Sequence, residues 1–78
     1  MLDKIVGKKV IGVKQCQKLI NNGKVLYVAK DAISKLVLPL IELAKENNVE
    51  IVEVSTMKEL GKMSGIDVKS AATLVLKD

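Results

Sequence analysis

The residues best placed to do chemistry form the stretch Gly12-Val13-Lys14-Gln15-Cys16-Gln17-Lys18. If a helix starts after Gly12, its first amides lack intrahelical partners, and a glycine cap supplies no side-chain oxygen to receive them. Those amides are left to water or to an anion such as phosphate. Lys14 and Lys18 then stand one helical turn apart on the same side, with Gln15 beside them and Val13, Cys16 and Ile20 opposite. Two cations thus flank an amide that can accept from one group on a base edge while donating to another. The pattern suits a phosphate backbone with its bases, and it also suits an ordinary solvated helix face.

A second stretch, LGKMSGIDVKSAATLVL from Leu60 to Leu76, raises a different question. A helix ending at Gly65 and a strand beginning at Ala71 leave Ile66-Asp67-Val68-Lys69-Ser70 as a surface connection. Ile66 and Val68 are branched and apolar, and such side chains gain nothing on a loop unless something covers them.

Catalysis is not supported. The nine acidic residues are scattered. Glu42 and Glu46, one turn apart, fit a solvated helix face. The chain has no His, so Ser34, Ser55, Ser64 and Ser70 have no imidazole to activate them. The segment GKKVIG lacks the spacing of a phosphate loop. Cys16 falls on the apolar side of its helix, as a buried thiol does and a nucleophile does not. With a single Cys and no His, a metal would have to rely on carboxylates alone. No catalytic residue, metal ligand or cofactor is expected.

The elements that must position these residues alternate along the chain. Lys8–Val13 ends in a short strand, and Lys14–Gly23 is helical with Gly23 as its stop. Lys24–Ala29 is a continuous apolar run, as in a strand covered on both faces. Asp31–Asn48 is a long apolar helical segment containing Pro39, so an irregular first turn is expected, with regular helix from about Pro39 to Glu46. Val49–Val54 reads as a strand. Thr56, with Glu59 three residues on, opens a capping-box helix that ends at Gly65. Ala71–Leu76 is the last strand, and a short helix over Leu2–Val6 precedes everything. This order implies a three-layer α/β/α sandwich around a four-stranded mixed sheet, one small domain spanning residues 1–78. Ligands on such sheets bind along one edge, at loops and helix ends. The helix after Gly12, the loop after Ala29 and the loop at Ile66 are therefore the places to inspect.

Composition narrows the partner. A chain of 78 residues buries only about 60% of the surface its unfolded form exposes. It is 49% hydrophobic and 28% charged, as folded chains are. No apolar run approaches the ~20 residues needed to cross a bilayer, and Asp3 stands where a signal peptide would be basic and then apolar. A lone Cys fits a reducing compartment, and the expected location is cytoplasmic. The net charge is +4, and the 13 basic residues are all Lys. Such a charge suits nucleic acid or an acidic surface, and it equally suits solubility alone. Tyr27 is the one aromatic residue, set in an apolar strand. Stacking platforms for single strands need several exposed aromatics. If this chain binds nucleic acid, it recognises a folded shape.

These stretches together resemble the family of kink-turn RNA-binding ribosomal proteins, most closely the short bacterial homologues of its archaeal large-subunit members. GVKQCQK…NNG is similar to the family's G-x-N-E-x-x-K…G, and VAKDA to its strand-end motif before the third helix. LPLIELAKENNVEIVEV resembles its L-P-containing helix and following strand, and ELGKMSGIDVKSAA its L-G-x-x-x-G-[IL]-[ED]-V-x-x-A-[AS]. The resemblance runs from Val6 to Leu76. It implies a non-enzymatic, monomeric domain that grips a sharply bent RNA, in which tandem sheared G·A pairs adjoin a bulge, in ribosomal or other structured RNA. By position, it implies that the helix after Gly12 enters the widened groove, that Lys14 and Gln15 face bases, and that Lys18 meets a phosphate. Ile66-Asp67-Val68 would cap the bulge. Apart from the resemblance, charge alone adds Lys30 and Lys69 to the expected phosphate contacts. The archaeal pattern has Asn and Glu where this chain has Lys14 and Gln15. A carboxylate accepts from two guanine donors at once, whereas Gln offers one acceptor oxygen. Lys14 shifts the balance toward backbone affinity. The rival expectation is a protein–protein module docking through Ile66–Val68, with lysines serving solubility.

Overall fold

A computed structural model describes residues 7–77 of the chain. The strands are β1 (Lys9–Ile11), β2 (Gly23–Ala29), β3 (Glu50–Val54) and β4 (Ala72–Leu76), and the helices are α1 (Val13–Leu19), α2 (Ser34–Glu46) and α3 (Met57–Met63). A 3₁₀ turn, Ile20–Asn22, joins α1 to β2. The sheet order is β1-β4-β2-β3, with β4 antiparallel to both its neighbours and β2 parallel to β3. A parallel pair requires a crossover, and α2 provides it.

Strand alternation divides the core in two. Leu26 and Val28 of β2, with Ala72 and Leu74 of β4, face Cys16 and Ile20 on one side and Leu40 and Ala44 of α2. On the other face, Tyr27, Ala29, Val54 and Val75 pack with Met57, Leu60 and Met63 of α3, joined by Ala32 and Val37 from the start of α2. The continuous apolar run of β2 is thus explained, since helices cover both of its faces. The result is the expected three-layer α/β/α sandwich around a four-stranded mixed sheet.

Three local expectations are corrected. Helix α2 runs unbroken from Ser34 with Pro39 inside it, rather than becoming regular only at Pro39. Pro39 withholds one donor, and it and Lys35, whose carbonyl that donor would meet, are both exposed, so water can serve the carbonyl. The first turn does carry a mixed pattern, in which the Ile33 carbonyl accepts from both Leu36 and Val37 at 3.0 and 3.3 Å. Gly23 does stop the helical stretch, but as the cap of the 3₁₀ turn rather than of α1, which ends at Leu19; it is extended and also begins β2. Val13 belongs to α1 rather than to the strand before it. The helix expected over Leu2–Val6 lies outside the described residues.

Candidate nucleic-acid interface

Helix α1 starts at a glycine because its backbone demands one. Gly12 has φ 105° and ψ 145°, a region that side-chain-bearing residues avoid. Its carbonyl accepts from the Cys16 amide at 3.0 Å, and its own N–H donates to the Ala72 carbonyl at 3.0 Å. The start of α1 is therefore tied to the start of β4. No side chain caps the helix and no acid lies in its first turn. Cys16 is fully buried and its Sγ donates to the Val10 carbonyl at 3.7 Å. Burial pushes its thiol up from 9.0 to about 12, against a smaller opposing effect of a backbone hydrogen bond at Leu74. This inward anchor leaves Lys14, Gln15 and Lys18 exposed on the opposite side, Lys18 in the last turn.

Helix α3 is built to carry the loop that follows it. At its start, Thr56 Oγ1 accepts from the Glu59 amide at 3.0 Å, and Asp31 Oδ1, from the loop after β2, accepts from the Met57 amide at 2.7 Å. At its end, Gly65 has φ +81°. The Gly65 amide donates to Lys62 at 3.1 Å and the Ile66 amide donates to Gly61 at 3.0 Å. That pair of bonds is a Schellman motif, and Ile66 occupies the position whose apolar side chain commonly folds back on the helix.

Ile66 and Val68 therefore differ, although both were expected to be open to solvent. Ile66 is half-buried, whereas Val68 is 70% exposed. The backbone beneath Val68 rests on Gly61. A Cβ at that glycine would collide with the Val68 carbonyl oxygen, and it would lie 3.1 Å from the Val68 carbonyl carbon and 3.4 Å from Lys69 Cα. The loop returns through Ser70, whose amide donates to the Met57 carbonyl at 3.0 Å.

Hydrogen bonds bring most of the expected site to one end of the sheet. Gly12 bonds Ala72, the Ala29 amide donates to Ala71 at 3.1 Å, and the Lys30 amide donates to Val54 at 2.8 Å. The start of α1, Lys30 at the end of β2, and the return of the 66–69 loop are thus adjacent, beside the C-terminal ends of the parallel pair β2 and β3. Lys18 lies a turn farther along α1, and no bond of this set reaches it. Asp67, Val68 and Lys69 line an open depression of about 670 Å³ together with Lys58. Sequence reasoning missed Lys58, which a count of exposed helical spacings (Lys58, Lys62) could have raised. It also missed what Gly61 and the hydroxyls of Ser64, Ser70 and Thr73 do beneath the loop. Among the described residues no group of three or more His, Cys, Asp or Glu could hold a metal, and no helix is long and apolar enough to cross a membrane.

Comparison with known proteins places these features in context. The family model described as "Ribosomal protein L7Ae/L30e/S12e/Gadd45 family" matches residues 3–78. An RNA-binding protein of Caldanaerobacter subterraneus subsp. tengcongensis is 44% identical over 73 residues, covering 91% of this chain and 89% of that protein. RNA-binding protein YbxF of Geobacillus stearothermophilus is 37% identical over 73 residues, with the same coverage of 91% and 89%. The large ribosomal subunit protein eL8 of Halobacterium salinarum is 38% identical over 68 residues, covering 83% of this chain and 57% of its own length. Among solved structures, a Giardia lamblia 15.5kD RNA binding protein superposes with a TM-score of 0.82 at 20% identity. It covers 90% of this chain, which spans only 61% of it, and at that identity the likeness is one of fold.

Proposed function

This chain belongs to the ribosomal protein L7Ae/L30e/S12e/Gadd45 family, and from that premise we propose that it is a non-enzymatic RNA-binding protein that grips kink-turn RNA. The observation that carries the reading is the bond from Gly12 to Ala72, which sets the uncapped start of α1 beside the return of the 66–69 loop. Relatives named as RNA-binding proteins support the broader half of it.

In this reading α1 enters the groove opened by the sheared G·A pairs. Gln15 meets a base edge, accepting from guanine through one oxygen, and Lys14 adds charge near the backbone. Lys18, Lys30 and Lys69 contact phosphates on either side. Asp67 and Val68 cap the bulge, where Val68 covers an unstacked base, as RNA readout at bulges requires. Ile66, already half-buried, supports the loop more than it touches RNA. The protein acts as a monomer on ribosomal or other structured RNA.

Gln15→Ala tests the base contact. It should cost about 1–3 kcal/mol on an RNA with intact G·A pairs, the scale of a good base contact. The loss should be much smaller on an RNA whose G·A pairs are made Watson–Crick. Equal losses on the two RNAs would remove Gln15 from base recognition.

A further inference from the structure

The loop from Gly65 to Lys69 leaves α3 through one serine and returns through another, and a threonine beneath joins the two. Ser64 and Ser70 are each 3% exposed, and Thr73 of β4 is 0% exposed. Thr73 Oγ1 lies 2.7 Å from Ser64 Oγ and 3.1 Å from Ser70 Oγ. Ser64 Oγ also donates to the Leu60 carbonyl at 2.7 Å, and Ser70 Oγ to the Ala72 carbonyl at 2.9 Å. With both serine protons on carbonyls, the single Thr73 proton is left to be shared between the two serine oxygens that stand at the loop's ends. Thr73 sits on the face of β4 that also carries Val75, against α3, where valine would match its shape. A buried hydroxyl is costlier than a methyl unless it is hydrogen-bonded, and a satisfied network of such bonds fixes a geometry. Here the geometry fixed is that of the loop, whose middle also rests on Gly61.

We propose that Thr73, acting through Ser64 and Ser70, is a positioning residue that holds the 66–69 loop in its RNA-competent form before RNA arrives. The proposal rests on the reading of that loop as the element capping the bulge. A loop ordered in advance loses less entropy on binding, so the hydroxyls raise affinity without touching RNA. Because the cluster carries no charge, its contribution is independent of salt. It is specific to an RNA that fills the loop.

Thr73→Val keeps the side-chain shape and removes the shared proton, while both serines retain their carbonyl acceptors and no donor is stranded. Amide exchange of the free protein at Ile66 and Ser70 should accelerate relative to the amides of β2. At a temperature where the variant is fully folded, affinity for a kink-turn RNA should fall on the order of three- to tenfold, inside the roughly two- to thirtyfold span of couplings carried by non-contact residues. Affinity for a straight duplex and the salt slope should stay unchanged, and Thr73→Ser, which keeps the hydroxyl, should restore wild-type binding. A folded Thr73→Val protein with wild-type loop exchange and wild-type affinity overturns the proposal. Should that variant fail to fold, Ser70→Ala cuts the same link and leaves Thr73 bonded to Ser64; it should show the same exchange and affinity changes, and wild-type behaviour again overturns the proposal. If wild-type protein shows no preference for the kink-turn over the duplex, the kink-turn reading fails, while the exchange of Ile66 and Ser70 still decides whether the hydroxyls hold the loop.

Discussion

Replacing Gly61 by alanine sets two effects of known sign against each other. Gly61 lies within α3, where alanine ordinarily gains about 1 kcal/mol over glycine from helix propensity alone. In this fold the added methyl meets the loop backbone, colliding with the Val68 carbonyl oxygen and standing 3.1 Å from its carbon. Backbone atoms cannot rotate aside, and the loop is pinned on either side by the bonds from Ile66 to Gly61 and from Ser70 to Met57. Overpacking costs about 1–3 kcal/mol, and a collision with backbone belongs at the upper end of that range, so the net change is a loss of about 1–2 kcal/mol. In a domain of this size each kcal/mol lowers Tm by about 4–8 °C. Thermal unfolding by circular dichroism should show a fall of several degrees, and a kink-turn titration should show weaker binding from whatever fraction of the strain is relieved by moving the loop. An alanine variant that melts at or above the wild-type temperature and binds RNA unchanged would refute the seating of the loop on Gly61.

The other expectations follow from exposure and charge. Lys18→Ala should weaken binding to every RNA and flatten the slope of log affinity against log salt by about one unit; an unchanged slope takes Lys18 out of the interface. Val68→Ser should leave Tm within the small range of surface changes, about 0.5 kcal/mol, yet weaken kink-turn binding, whereas Ile66→Ser should lower Tm as well because Ile66 is half-buried; identical melting curves for the two variants would contradict the distinction. The Cys16 thiol, pushed up from 9.0 to about 12 by burial, keeps its proton in the fold while the unfolded chain loses it. Its contribution to stability is therefore complete below pH 9.0 and is lost as pH rises toward about 12. The stability of wild type relative to Cys16→Ala should decline over that window, and a parallel pH dependence of the two proteins would count against the burial.

Much of the fold was legible in local patterns. The apolar run of β2 announced a strand covered on both faces, and Thr56 and Gly65 marked the ends of α3 through bonds that span only a few residues. The candidate site was legible in part: Lys14, Gln15 and Lys18 are exposed because helical spacing sends Cys16 inward. What local patterns could not convey were contacts between distant segments. Pro39 reads as a helix boundary in the sequence, and its tolerance inside α2 goes with the exposure of both Pro39 and Lys35, which the sequence does not convey. Ile66 and Val68 looked equivalent because their difference arises from where the Schellman bonds end and where the loop crosses Gly61. In the sequence Ser64 and Ser70 are only hydroxyls without an imidazole beside them; their partnership with Thr73 appears only when β4 is brought against α3.

The most direct test of kink-turn recognition is a single titration of the wild-type protein against a kink-turn RNA and a straight duplex of equal length, carried out at several salt concentrations. Both affinities should fall with salt, as lysine–phosphate contacts in each complex would require. The kink-turn should be bound more tightly at every concentration, because only the bent RNA offers Gln15 a base edge and Val68 an unstacked base. Equal affinity for the two RNAs across the salt series would contradict kink-turn recognition and leave the lysines as a general attraction for nucleic acid.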